Sequence, residues 1–126
     1  DLLDVARDAL ERAYVPYSDY PVGAALETED GTVFPGANFE VANYSNSLHA
    51  EEVALVQALM AGHRSFSRIA VTSGTADGLT PCGMCRQSLA EFAEDSLTVI
   101  VDHSDGPVAY SLSELLPHSF TGDRLR

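Results

Sequence analysis

Leu48-His49-Ala50-Glu51 opens, and Pro81-Cys82-Gly83-Met84-Cys85 closes, the stretch around which this chain is organised. One histidine and two cysteines are soft or borderline ligands that suit tetrahedral zinc, and three protein ligands leave a fourth position for water or substrate. That is the coordination of a catalytic site; copper and iron accept similar donors. Glu51 lies two residues after His49, too near along the chain to chelate the same ion comfortably, yet placed to reach a water bound there. It reads as the proton carrier. Two other readings stay open on these residues alone. Cys82 and Cys85 as a redox pair leave His49 and Glu51 without a purpose, and a closed structural site wants a fourth ligand.

Within the stretch, residues 50–61 are apolar nearly all round, which predicts a central buried helix ending at Gly62. Ile69-Ala70-Val71-Thr72 predicts a strand within 68–73, the small residues of 74–80 a loop, and 83–92 a second helix. Both ligand motifs therefore fall at helix starts, where unpaired N–H groups and the helix dipole favour thiolate over thiol. Upstream, Leu2, Leu3, Ala6, Ala9, Leu10 and Ala13 recur at helical spacing, predicting a helix over 2–14 that Pro16 ends; a turn-rich loop follows at 17–21. Residues 22–27 and 32–39 suit strands joined by the hairpin signal Glu29-Asp30-Gly31, and Gly23 marks either the close approach of another backbone or a bulge. The amide- and hydroxyl-rich segment 38–48 reads as a loop leading to the metal. Downstream come a core strand over 97–101, a turn at 104–107, an edge strand over 108–111 and a helical turn over 113–116 stopped by Pro117. This order implies an α/β protein: a three-layer α/β/α sandwich with a mixed sheet of about five strands.

At 126 residues the chain is expected to be one domain. No apolar run approaches the roughly 20 residues that span a bilayer, and nothing reads as a signal peptide, so the expected location is the cytoplasm, with no membrane partner. The proposed metal uses both cysteines, which leaves none for a disulfide framework. Nineteen acidic residues face seven basic ones, all arginine, for a net charge of −12. Such a surface repels phosphate backbones, so a small molecule is a better partner than nucleic acid. The same lysine-free acidity suits high salt, where counterions screen self-repulsion.

H-x-E followed by P-C-x-x-C resembles the signature of the zinc-dependent nucleobase deaminases. The wider chain is similar to the small homotetrameric cytidine deaminases, over Ala13-Tyr14-Val15-Pro16-Tyr17-Ser18-Asp19-Tyr20-Pro21-Val22-Gly23-Ala24-Ala25-Leu26, Asn38-Phe39-Glu40, His49-Ala50-Glu51, Pro81-Cys82-Gly83-Met84-Cys85-Arg86-Gln87 and Glu114-Leu115-Leu116-Pro117. The resemblance implies hydrolytic deamination of cytidine or deoxycytidine to uridine or deoxyuridine, in pyrimidine salvage, with one zinc per chain. By the same resemblance His49, Cys82 and Cys85 hold the zinc and Glu51 shuttles protons. Asn38 and Glu40 bind the ribose hydroxyls, and Tyr20 stands where the family places a phenylalanine against the pyrimidine. Phe120 matches an aromatic that reaches a neighbouring subunit's pocket in a homotetramer.

The chain departs from that pattern in two places. Most small tetrameric members resemble a three-cysteine site with arginine after the catalytic glutamate, where this chain has His49 and then Glu52. One neutral histidine and two thiolates bring the formal charge with Zn²⁺ to zero, so the offsetting arginine is not needed. Val41, Asn43 and Ser45 also differ from the usual residues after Glu40. A structural role is expected for His63 at its helix end and solvation for His103 and His118. Arg86 either steadies the Cys85 thiolate or joins a surface ion pair. The rival readings are a tRNA adenosine deaminase, which needs a basic surface, a deaminase of another cytosine-containing nucleoside such as an antibiotic, and a silent zinc-binding module.

Overall fold

The structure is a computed structural model that describes residues 1–93 and 96–126. Strands β1 (Gly23–Thr28), β2 (Val33–Ala37), β3 (Phe66–Thr72), β4 (Thr98–Val101) and β5 (Val108–Ser111) form one sheet in the order β2-β1-β3-β4-β5. The β3–β4 pair is parallel and the other pairs are antiparallel, so the sheet is mixed. Side chains alternate along the strands. Ala24, Leu26, Ile69, Val71, Val99 and Val101 pack beneath helices α2 (Ala50–Met60), α3 (Gly83–Phe92) and α4 (Leu112–Leu115), while Ala25 and Ala70 face helix α1 (Leu2–Ala9). The expected three layers are present.

Two glycines set how closely the helices approach. A Cβ on Gly23 would lie 2.0 Å from the Ala6 carbonyl oxygen, so Gly23 marks backbone contact with α1, the first of the two expectations for it. On the other face, a Cβ on Gly36 would lie 2.1 Å from the Ala50 carbonyl oxygen. That contact seats the first turn of α2 directly on the sheet edge.

Several boundaries differ from the sequence reading. The first helix is α-helical only to Ala9, continues as a 3₁₀ turn over Leu10–Arg12, and gives way to extended backbone at Ala13. There Tyr14 takes another partner: its N–H donates to the Asn38 carbonyl and its own carbonyl accepts from Glu40 N–H. The second strand stops at Ala37, although Phe39 goes on to pair with Leu48. The third strand starts earlier than expected, at Phe66, because Phe66 pairs with Thr28 across a register shift. Two 3₁₀ turns, Tyr44–Asn46 and Gly122–Leu125, were not expected. Among the described residues no helix is long and apolar enough to cross a membrane.

Candidate active site

His49 is the N-cap of α2 and Cys82 the N-cap of α3, so both helix starts converge on one point. Cys82 Sγ and Cys85 Sγ each lie 3.3 Å from His49 Nδ1, and the three donor atoms all fall within 4.8 Å of one another. Tetrahedral zinc, with bonds of about 2.3 Å to sulfur and about 2.0 Å to nitrogen, separates such donors by about 3.5 Å. The donor set and its spacing therefore fit zinc. Burial and the Glu51 carboxylate push the Cys85 thiol up, and a coordinated dication reverses this by deprotonating the thiol outright. Glu51 is only 5% exposed, and burial pushes its carboxyl above the ordinary carboxylate range.

A cavity of about 370 Å³ opens beside this cluster, lined by His49, Glu51 and Cys82 and also by Asn38 and Glu40. Asn38 and Glu40 are two residues apart on extended backbone, so their side chains share a side. Glu40 is buried, 8% exposed, rather than solvated. It accepts the Ser18 hydroxyl, the Ser18 N–H at 3.0 Å and the Tyr17 N–H at 3.1 Å, and these bonds hold its carboxyl below the usual range, the Ser18 hydroxyl most strongly. A carboxylate has about four acceptor positions, so one remains. Asn38 Oδ1 accepts the Val22 N–H at 2.9 Å, and its Nδ2 donates to the Tyr20 carbonyl at 3.0 Å with a second N–H to spare. One spare acceptor beside one spare donor is the complement of a vicinal diol.

The other two expected site residues stand apart. Tyr20 is not among the residues that line the cavity: its hydroxyl donates to Asp77 Oδ2 at 2.7 Å. Phe120 is 59% exposed, its carbonyl accepting from Gln87 Nε2. Glu52 plays a part the sequence did not announce, since its carboxylate accepts the His49 N–H at 2.7 Å in a capping interaction that orients the candidate ligand. Among the described residues Arg86 makes neither of the two contacts expected of it. Its guanidinium donates to the Pro81 and Leu115 carbonyls, each at 2.7 Å, and to the Thr80 hydroxyl, which pins the turn ahead of Cys82. The helix end at Gly62 is capped by Arg64, which donates to the Leu59 and His63 carbonyls, while the His63 ring packs edge-on against Phe34.

Comparison with known proteins agrees with this geometry. The family model described as the cytidine and deoxycytidylate deaminase zinc-binding region matches residues 1–101. The chain belongs to the cytidine deaminase family. A cytidine deaminase from Sporosarcina psychrophila is 42% identical to it over 125 residues, covering 98% of this chain and 92% of the relative. One from Halalkalibacterium halodurans is 42% identical, covering 97% and 93%. Among solved structures, the cytidine deaminase of Burkholderia pseudomallei superposes with a TM-score of 0.89 at 43% identity, covering 94% of this chain and 96% of that one. That of Mycobacterium tuberculosis does so with 0.84 at 37% identity, covering 94% of each chain. Membership of a zinc-binding family accounts for all three donors together, which the redox-pair reading never did.

Proposed function

We propose that this chain is a zinc-dependent hydrolase that converts free cytidine or deoxycytidine to uridine or deoxyuridine and ammonia. The observation that carries the reading is a single cavity at the His49/Cys82/Cys85 donor cluster whose lining includes both the buried Glu51 and the diol-complementary Asn38/Glu40 pair. His49, Cys82 and Cys85 hold the ion. When bound, zinc supplies the Lewis acidity that makes water a nucleophile at neutral pH. Glu51 takes a proton from the attacking water, delivers it to the ring nitrogen, and later assists the departing amine; a carboxyl pushed up by burial suits both halves of that task. A C–O bond forms and a C–N bond breaks at the ring carbon that bears the amino group. Asn38 and Glu40 fix the sugar, and the ring of Tyr20 faces the pyrimidine from the rim.

The same reading makes residues 1–126 one domain that works in the cytoplasm in pyrimidine salvage, as a homotetramer in which Phe120 enters a neighbour's cavity. The exposure of Phe120, and of Val56 and Met60 one turn apart on α2, supports burial by further copies. The net charge of −12 supports a high-salt setting and disfavours RNA. The test is absorbance change on mixing zinc-loaded protein with cytidine, deoxycytidine, cytosine and a short single-stranded RNA. Turnover of the two nucleosides and not of cytosine is expected. Silence with all four despite bound zinc refutes the proposal.

A further inference from the structure

The loop over residues 17–22 is gripped from two sides. Toward the β2 side, Glu40 holds Tyr17 and Ser18, and Asn38 holds Tyr20 and Val22. On the opposite side the Tyr20 hydroxyl donates to Asp77 Oδ2 at 2.7 Å. Asp77 belongs to the segment that runs from the end of β3 to Cys82, and its carboxylate is itself fixed, because the buried Ser73 donates its hydroxyl to Oδ1 at 2.8 Å. Both carboxylate oxygens are thus engaged, one from each side. Leu79 and Thr80, just beyond Asp77, line the cavity, as Val22 does on the opposite loop. The bond between Tyr20 and Asp77 lies outside the cavity, yet it joins two segments that each contribute lining residues to it.

We propose that the Tyr20–Asp77–Ser73 chain is a latch between these two segments, with Asp77 and Ser73 acting as positioning residues for nucleoside binding. The inference rests on the reading of the cavity as the nucleoside site. A phenol donating to a carboxylate makes a charge-assisted bond, stronger than a neutral one. The Tyr20 and Ser73 hydroxyls accordingly hold the Asp77 carboxyl below its ordinary range. Because Tyr20 is 40% exposed, water competes for the bond, so the latch holds the cavity closed to its working width without locking it. Nothing in it touches the zinc donors or Glu51. Its loss therefore weakens binding and leaves the chemical step in place.

The test compares zinc-loaded wild type with Asp77→Ala, Asp77→Asn, Tyr20→Phe and the Asp77→Ala/Tyr20→Phe pair. KM and kcat for cytidine are measured alongside amide hydrogen exchange over residues 17–22 in the substrate-free protein. Tyr20→Phe keeps the ring and removes only the hydroxyl. Asp77→Ala and Tyr20→Phe should each raise KM about three- to tenfold with kcat changed by less than about twofold, and both should speed exchange in the loop. Asp77→Asn keeps an acceptor for the phenol and should stay within about twofold of wild type. The double variant should be no worse than the worse single one, because both remove the same bond. Multiplicative effects in the double variant, or an unchanged KM in both singles, overturn the latch. If wild type does not turn over cytidine, the nucleoside reading fails by itself, and unchanged exchange in both single variants then removes the latch as well.

Discussion

Gly36→Ala tests whether the backbone contact between β2 and α2 is what places the chemistry. The added Cβ would lie 2.1 Å from the Ala50 carbonyl oxygen and 2.7 Å from the Ala54 nitrogen, whereas real Cβ atoms stay at least 3.0 Å from such neighbours. Relief therefore needs about 0.9 Å of movement, the difference between 3.0 and 2.1 Å. Backbone on both sides leaves no flexible side chain to absorb it. Ala50 sits between His49 and Glu51, so a shift of that turn moves the proposed zinc ligand and the proposed proton carrier together. A displacement near 1 Å at reacting groups costs about 100-fold in rate. Overpacking costs about 1–3 kcal/mol, or roughly 3–15 °C in Tm for a chain of this size. Gly23→Ala is the control, because its Cβ would meet the Ala6 carbonyl at 2.0 Å, on a helix that carries none of the zinc donors. Both variants should melt earlier, but only Gly36→Ala should also lose zinc affinity in chelator competition and turnover at a temperature where it is still folded. Equal zinc affinity in the two folded variants would refute the argument.

Three further outcomes follow from the same structure. Cys82→Ala should lose its metal on brief dialysis against a mild chelator while wild type keeps it; a variant retaining a full equivalent of zinc contradicts the ligand set. The Thr28 hydroxyl, together with the Thr32 hydroxyl and N–H, holds the Asp30 carboxyl down from 3.8 to about 2. A depressed pKa stabilises the fold above the unfolded value and ceases to do so as pH falls through the folded one. The difference in urea midpoint between wild type and Asp30→Ala should therefore hold steady above about pH 5 and shrink toward pH 2; a constant gap contradicts the assignment. With a net charge of −12, Tm should rise between about 0.1 and 1 M salt as the screening length falls from about 10 to 3 Å, and a flat curve would remove the high-salt reading.

What the sequence disclosed was whatever local pattern records. The apolar surround of residues 50–61 marked a buried helix, and α2 occupies Ala50–Met60. Residues 83–92 and 108–111 form elements with the boundaries that the pattern predicts. Gly23 pointed to either a close backbone or a bulge, and nothing local said which, or which backbone. The spacing of His49, Cys82 and Cys85 to their helix starts was legible because capping positions are local features. The departures at Tyr14, Glu40 and Arg86 are non-local. Tyr14 leaves the first helix because Asn38 and Glu40 offer it hydrogen bonds from across the fold, and no periodicity within 2–14 records that offer. The burial of Glu40 is not written in its neighbours along the chain: it comes from Tyr17 and Ser18, which donate to it from more than 20 residues away. Arg86 sits beside Cys85 in sequence, yet it serves carbonyls at Pro81 and Leu115. Glu52 could have been found, since an acidic residue three positions after an N-cap is a capping signal.

The account turns on Glu51 as the proton carrier beside the metal, and Glu51→Gln isolates that role because the amide is nearly isosteric and His49, Cys82 and Cys85 are untouched. Zinc content, Tm and cytidine turnover should be measured on one preparation. The predicted result is one zinc per chain, a Tm no lower than wild type, since the replaced carboxyl is buried, and turnover reduced by about 100-fold or more. Near-normal turnover in a zinc-replete, folded Glu51→Gln protein would contradict it.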